Sequence, residues 1–196
     1  MSKPATEMRL PRADGSVRYM GKLILNKQSG DAKTMLTDEM LITLGNDIRA
    51  KAPSMSWNLV NMADEIAQWY SGYPEAAYYV YRTGVGPDEW REAVMNGGGA
   101  IQLDGLTASK RDSLLWAIQG YLDPSKANIR AAISDFCSDK ATLKASMQSI
   151  MYRTARRIEQ FYATGTGTTA SPALMAYEGG ISLSSVDRAI QLTAGS

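Results

Sequence analysis

Basic side chains are concentrated in the second half of the chain, between Lys126 and Arg157. This interval holds seven Lys or Arg and only two Asp, so a chain with a net charge of +1 carries a local charge of +5 there. Arg presents a planar fork of donors that matches a phosphate group, and it stays charged at any relevant pH. The excess therefore indicates a polyanionic partner, although a charged helix face that is simply solvated produces the same pattern.

Aromatic side chains are concentrated in residues 69–81, WYSGYPEAAYYVY, where six of them occur. Proteins that bind single-stranded nucleic acid stack bases on exposed rings, which contributes roughly 1–3 kcal/mol per base. Aromatic clusters also fill cores and interface pockets, because each ring buries a large apolar area. The sequence leaves both interpretations of this run open.

Other kinds of site find little support in the sequence. The chain has no histidine, which removes His-based catalytic triads and almost every common zinc site. The single cysteine, Cys137, falls on an apolar helical stripe and is expected in the core. No paired carboxylate motif and no phosphate-loop motif occurs. We therefore expect no catalytic residue, no cofactor and no metal site, although catalysis by Asp, Glu, Lys or Tyr alone stays open.

Two predicted helices position the basic residues. The first begins at Asp123, a capping residue that Pro124 follows at the first helical position. The second begins at Asp139 and keeps one apolar seam as far as Phe161. The polar residues beside these two seams are Lys126, Arg130, Ser134, Arg153, Arg156, Arg157 and Gln160.

Helical spacing of apolar residues also covers much of the chain before this pair. A helix capped by Thr37 is predicted to end at Pro53, and the next one to begin at Ser54 or Ser56. One short helix is predicted over residues 87–94, and another is predicted to follow Thr107 and Ser109, which both offer caps. The segment NGGGAIQLDGLT between them fits a short strand or a loop equally well.

The two ends of the chain differ in composition from its centre. Residues 1–33 are rich in turn formers and surround one apolar run, residues 20–25, so we expect an arm that orders against something else. A frayed terminus or a short edge strand fits the same composition. Residues 164–196 begin with a small, polar connector and are expected to form a second arm that contains a marginal helix.

Two runs within residues 122–162 resemble the coat proteins of flexuous filamentous plant viruses, most closely the potyvirus type. The run LDPSKANIRAAISDF matches the core segment of that family, and ARRIEQFY is similar to a second segment. The matching residues are Leu122, Asp123, Lys126, Ile129, Arg130, Phe136, Ala155, Arg156, Phe161 and Tyr162.

The resemblance implies roles for particular residues. In that family an Arg of the first segment and an Asp of the second meet beside the RNA backbone, which implies an RNA contact for Arg130. Gln160 stands where the Asp would be, with Glu159 beside it. The family's N-terminal arm docks on a neighbouring subunit, and the contact residues here would be Leu23, Ile24 and Leu25.

Taken together, the sequence predicts an all-α fold, with a single helical bundle core over residues 34–163 and extended arms at 1–33 and 164–196. We interpret the chain as a structural coat protein that polymerises helically around single-stranded RNA. We expect it in the virion and in the host cytoplasm, and we expect no membrane partner. A soluble helical scaffold or interaction module without nucleic acid is the alternative, and a nucleoprotein of another viral lineage would have the same pattern. The predicted RNA-binding residues are Arg130, Lys126, Ser134, Arg153, Arg156, Arg157, Glu159 and Gln160.

Overall fold

The computed structural model describes residues 9–11, 17–19 and 35–195, which belong to two compact units, residues 1–35 and 36–196. In the first unit, strands β1 (Arg9–Pro11) and β2 (Val17–Tyr19) pair antiparallel. The predicted subunit contacts Leu23, Ile24 and Leu25 lie outside the described residues, so their docking stays a prediction.

The second unit is mainly α-helical, as the sequence predicts. Its helices are α1 (Asp38–Met55), α2 (Ala63–Ser71), α3 (Pro87–Asn96), α4 (Gly99–Asp104), α5 (Ala108–Ala117), α6 (Ala127–Phe136), α7 (Ala141–Ser149), α8 (Arg157–Phe161) and α9 (Leu183–Leu192). Two short antiparallel pairs accompany them, β3 (Tyr79–Tyr81) with β4 (Tyr152–Thr154) and β5 (Ala163–Thr164) with β6 (Leu174–Met175).

Side-chain caps fix several helix starts. The hydroxyl of Thr37 accepts a hydrogen bond from the Met40 backbone N–H at 3.3 Å, and that of Thr107 accepts one from Lys110 at 3.4 Å. These bonds satisfy backbone donors that lack an intrahelical partner. The predicted Thr37 cap is therefore confirmed, and of the two candidates for the later helix, Thr107 rather than Ser109 is the cap.

Other predicted boundaries are wrong. Helix α1 continues through Pro53 to Met55, so the proline removes one backbone donor from the helix without ending it. It ends at Ser56, whose φ of 57° lies in the left-handed region. The segment that fitted a strand or a loop instead contains α4. Helix α6 begins after Lys126, and the Asp123 carboxylate accepts from the Ser125 backbone N–H at 2.9 Å rather than capping the helix.

The second basic helix, predicted from Asp139 to Phe161, is not continuous. It is divided into α7, β4 and α8, because residues 152–154 pair with β3. Tyr and Thr favour extended backbone, and long-range pairing outweighs the local helical spacing. Arg153, Arg156 and Arg157 therefore do not line one helical edge.

Among the described residues, the buried apolar side chains form three clusters rather than one bundle core. The first joins α1, α2, α8 and α9, and the second joins α3, α5, α6 and α7. The third surrounds Val80 of β3 and Ala155. Cys137 is fully buried in the second cluster, as predicted, and burial raises the pKa of its thiol to about 11.

The C-terminal segment, which we expected to extend as an arm, contributes to the first cluster. Helix α9 packs on α1 and α2, and its Val186 and Ala189 are fully buried. Arg49 of α1 donates hydrogen bonds to the Thr193 hydroxyl at 2.9 Å and to the Ile190 carbonyl at 2.8 Å. The short helix is stabilised by this docking, since a helix of ten residues is marginal alone.

Candidate nucleic-acid interface

The β3–β4 pair brings the aromatic run of residues 69–81 against the basic segment. Tyr81 lies opposite Tyr152, and Tyr79 lies opposite Thr154. The pairing continues one residue beyond the strands, where the Ala155 backbone N–H donates to the Tyr78 carbonyl at 2.7 Å, and the Arg157 N–H makes a further bond to the Gly72 carbonyl at 2.8 Å. Two stretches that are far apart in the sequence therefore form one surface region.

Arg130 of α6 is held over an aromatic ring. Its guanidinium carbon lies 4.2 Å from the centroid of the Tyr81 ring. Its Nη1 donates to the carbonyls of Pro124 and Ser125, each at 2.7 Å. Within the described part of the chain, no carboxylate lies within ion-pair distance of Arg130, and neither its Nε nor its Nη2 donates a hydrogen bond. The charge is fixed in position and keeps donors for a ligand.

Arg130 faces a cavity of about 560 Å³, which we name the Arg130 cleft. Most of its other polar lining residues carry hydroxyl or amide groups. The residues that define it are Tyr81, Arg130, Ser134, Gln148, Tyr152 and Thr169. The volume falls in the range of ligand pockets, roughly 300–1,000 Å³. Two predicted site residues, Arg130 and Ser134, are thus brought together in a concave, polar site.

Arg157 and Gln160 line a different cavity, of about 620 Å³, beside Trp69. Arg130 and Gln160 therefore do not meet, and the pairing that the family resemblance implied is not reproduced. Lys126 is exposed at the start of α6, where it lies 3.6 Å from the Asp123 carboxylate, and it does not line the Arg130 cleft.

Arg156 repeats the arrangement of Arg130. Its Nη1 donates to the Ser71 carbonyl at 2.9 Å, and its guanidinium carbon lies 5.8 Å from the Tyr73 ring centroid. Arg157 does the same with Trp69. Three arginines thus contact three rings of residues 69–81, at distances where a cation is attracted to a ring face.

Arg153 is in a different environment. It forms a two-pronged ion pair with the fully buried Glu159, at 2.7 and 2.6 Å, and a further contact of 3.2 Å with Glu178. Backbone N–H groups of Arg156 and Gly179 also donate to Glu159, each at 2.8 Å. Burial alone would raise the pKa of Glu159, but these hydrogen bonds outweigh it and lower that pKa.

Glu159 therefore does not fit the RNA contact predicted for it, because its side chain has no exposed surface. Its ion pair also raises the pKa of Arg153 and compensates that charge. Sequence reasoning treated the arginines of this segment as equivalent. It missed Glu178, which lies in the segment expected to be an arm, and the lining residues Gln148 and Thr169, whose types carry no signal of their own.

Compared with family models, with curated proteins and with solved structures, the chain matches none of them. The resemblance to coat proteins gains no support from these comparisons. In the part of the chain that the structure describes, no helix has the length and apolar character needed to cross a bilayer. Over the same residues, no three Cys, Asp or Glu side chains converge as metal ligands would.

Proposed function

We propose that this protein is a structural coat protein that polymerises helically around single-stranded RNA and forms the virion of a filamentous virus in the host cytoplasm. The observation that supports the proposal best is the state of Arg130. This arginine is stacked on Tyr81, anchored by two carbonyls and free of a described carboxylate, and it lines a cleft large enough for a nucleotide.

In this proposal the Arg130 guanidinium binds a phosphate through the nitrogen atoms that the protein leaves open. Its half-buried position strengthens the attraction, since solvent screens it less than it screens an exposed lysine. Ser134 and Gln148 both donate and accept hydrogen bonds, so they adapt to the edges of different bases. Phosphate contacts carry no sequence information, which suits a coat that covers a whole genome.

In this proposal, polymerisation explains how a subunit of low net charge packages RNA. The net charge of one chain is +1, so its contacts neutralise only a few phosphates, and many copies side by side cover the strand. The N-terminal arm of one copy is proposed to contact a neighbouring copy through Leu23, Ile24 and Leu25. Burial of aliphatic residues supplies the free energy for such a contact, roughly 1.5–3 kcal/mol per side chain as an upper estimate.

A helical scaffold that binds another protein is the second candidate. It is favoured by an apolar groove of about 880 Å³ between α5 and α6, lined by Trp116, Ile129 and Phe136. Trp116 is 77% exposed, and tryptophan is enriched at the centres of protein interfaces. A scaffold of this kind would bind no RNA.

Replacing Arg130 separates the two candidates. The Arg130→Ala variant should bind single-stranded RNA about tenfold more weakly, because a charge-assisted hydrogen bond is lost. The slope of the logarithm of the binding constant against the logarithm of the salt concentration should also decrease in magnitude by about 0.7, the value for one phosphate of a single strand. Fluorescence anisotropy with two unrelated, unstructured oligonucleotides would measure both quantities.

Lys140→Ala is the matched control, since Lys140 is basic and lines neither cavity described above. It should lose less affinity than Arg130→Ala, and both variants should keep the circular dichroism spectrum of the parent. A parent that binds no RNA, or that discriminates tenfold between the oligonucleotides, would contradict the coat proposal.

A further inference from the structure

We infer that the cavity beside Trp69 is a second RNA site, which holds a nucleotide of the same strand through a phosphate contact with Arg157. The inference rests on the proposed function, because it assumes that single-stranded RNA is the ligand. The cavity, named here the Arg157 cleft, is defined by Trp69, Pro74, Arg157, Gln160 and Phe161.

Arg157 is held in the same manner as Arg130. Its guanidinium carbon lies 4.7 Å from the Trp69 ring, and its Nη1 donates to the Trp69 carbonyl at 3.0 Å. Across the residues that the structure describes, no carboxylate lies within ion-pair distance of Arg157, and its Nε and Nη2 donate no hydrogen bond. An arginine in this state offers two nitrogen atoms to an anion.

The backbone beside Arg157 is built to leave room for its guanidinium. A Cβ atom at Gly72 would lie 2.9 Å from Nη1 of Arg157, closer than these atoms approach without a shift. Gly72 also accepts the Arg157 backbone N–H at 2.8 Å. A side chain at residue 72 would therefore shift this nitrogen atom from its observed position.

The other charges of the cleft decide which ligand it suits. Asp47 is already engaged, because it forms an ion pair with Lys51 and accepts a hydrogen bond from the Tyr70 hydroxyl. Glu75 lies at the cavity and is exposed to solvent, where its repulsion of an anion is screened. Trp69 and Phe161 add aromatic surface to the anion site. A phosphate joined to a base matches this combination better than a free inorganic anion does.

The two clefts are close enough for one strand to reach both. Tyr152 lines the Arg130 cleft and Arg157 lines the second, and the backbone between them is extended at β4 and at Arg156. At about 3.3 Å per residue at most, the Cα atoms of Tyr152 and Arg157 lie no more than about 17 Å apart, a distance that a few nucleotides span. The clefts share none of the residues that line them.

The direct test removes the charge of Arg157 and keeps an apolar stem. Arg157→Met should weaken binding of a single-stranded oligonucleotide about tenfold and lower the logarithmic salt dependence by about 0.7. Arg91→Met is the matched control, since Arg91 is exposed, is paired with Asp88 at 2.9 Å and lines neither cleft. The control should keep both the affinity and the salt dependence of the parent.

Two further variants test the position of the Arg157 guanidinium and the repulsion by Glu75. Gly72→Ala keeps every charge but shifts the Arg157 Nη1 atom, so it should weaken RNA binding by less than Arg157→Met does and keep the salt dependence of the parent. Glu75→Gln removes a repulsion at the cleft and should raise RNA affinity about twofold, the order of a solvent-screened charge contact. Glu75→Gln is an exposed substitution, so it keeps the test decisive even where Gly72→Ala lowers stability.

The outcomes distinguish this inference from the proposed function. Loss of affinity in Arg157→Met and gain in Glu75→Gln, with Arg91→Met unchanged, would support a second site. If Arg130→Ala weakens binding while the Arg157 and Glu75 variants bind like the parent, the second site is wrong and the coat proposal stands. A parent that binds no RNA overturns both.

Discussion

Arginines a few positions apart in the sequence have opposite roles in this protein. Arg156 and Arg157 lie over aromatic rings, and no described carboxylate pairs with them. Arg153 instead saturates a buried carboxylate and connects it to Glu178. In the first environment the positive charge stays available to a ligand, whereas in the second it is neutralised by carboxylates of the protein itself. Residue type alone does not distinguish them, which is why the sequence predicted one uniform basic edge.

The buried carboxylate leads to a prediction about stability and pH. Because the pKa of Glu159 is lowered in the folded state, its ionised form stabilises the protein above the unfolded pKa, near 4.5, and this contribution is lost as the pH falls through the lower folded value. Glu159→Gln should lower the free energy of unfolding at pH 7 by roughly 3–5 kcal/mol, since a buried charge loses its partner.

Urea denaturation at pH 7 and at pH 3 would measure this effect. The difference in stability between parent and Glu159→Gln should shrink at the lower pH, because the unfolded parent then binds a proton that the folded carboxylate, whose pKa is lowered, takes up less readily. Glu92→Gln, an exposed substitution on α3, should leave stability within about 0.5 kcal/mol at both pH values. An equal loss at both pH values would show that Glu159 acts through packing rather than charge.

At the scale of elements, local signals located the helices well where caps and apolar spacing agreed. Thr37 and Thr107 begin helices as predicted, and Cys137 is buried as predicted. The predictions are wrong where backbone hydrogen bonds to a segment distant in the sequence set the conformation. Residues 152–154 keep a helical spacing of apolar residues but form β4, because β3 supplies backbone partners that no local pattern reveals. The Arg130 cleft depends on this pairing, so only its α6 residues were predictable.

The docking of α9 on α1 gives a second prediction. A Cβ at Gly45 would lie 2.2 Å from the Ala189 carbonyl oxygen, so the two helices approach each other through this glycine. Gly45→Ala should destabilise the protein by about 1–3 kcal/mol, because the helix backbones must separate. This expected loss of stability is opposite in sign to the effect of helix propensity, which favours Ala over Gly by about 1 kcal/mol.

Thermal unfolding followed by circular dichroism would measure the change. Gly120→Ala is the control, because a Cβ there meets no atom within 4 Å, and its melting temperature should stay close to that of the parent. A C-terminal segment that extends away from the core as an arm would produce the reverse result. Gly45→Ala would then be more stable than the parent.

Besides its folded helical unit, the protein has surface clefts and a groove to which no role within a single subunit is assigned. Arg130 and Arg157, which line the two clefts, have no carboxylate within ion-pair distance among the described residues, and the groove at Trp116 is apolar and exposed. In the coat proposal the two clefts bind RNA, whereas the groove at Trp116 is the feature that favours the scaffold alternative. The contacts predicted between copies, Leu23, Ile24 and Leu25, lie outside the described residues and stay a prediction.

The central claim is tested most directly by electron microscopy of the purified full-length protein, with absorbance measured on the same sample. The account predicts flexible filaments whose absorbance at 260 nm exceeds that of the protein alone and falls when disassembled material is treated with ribonuclease and the released nucleotides are removed. Dispersed single particles with the absorbance of pure protein, both before and after incubation with single-stranded RNA, would contradict it.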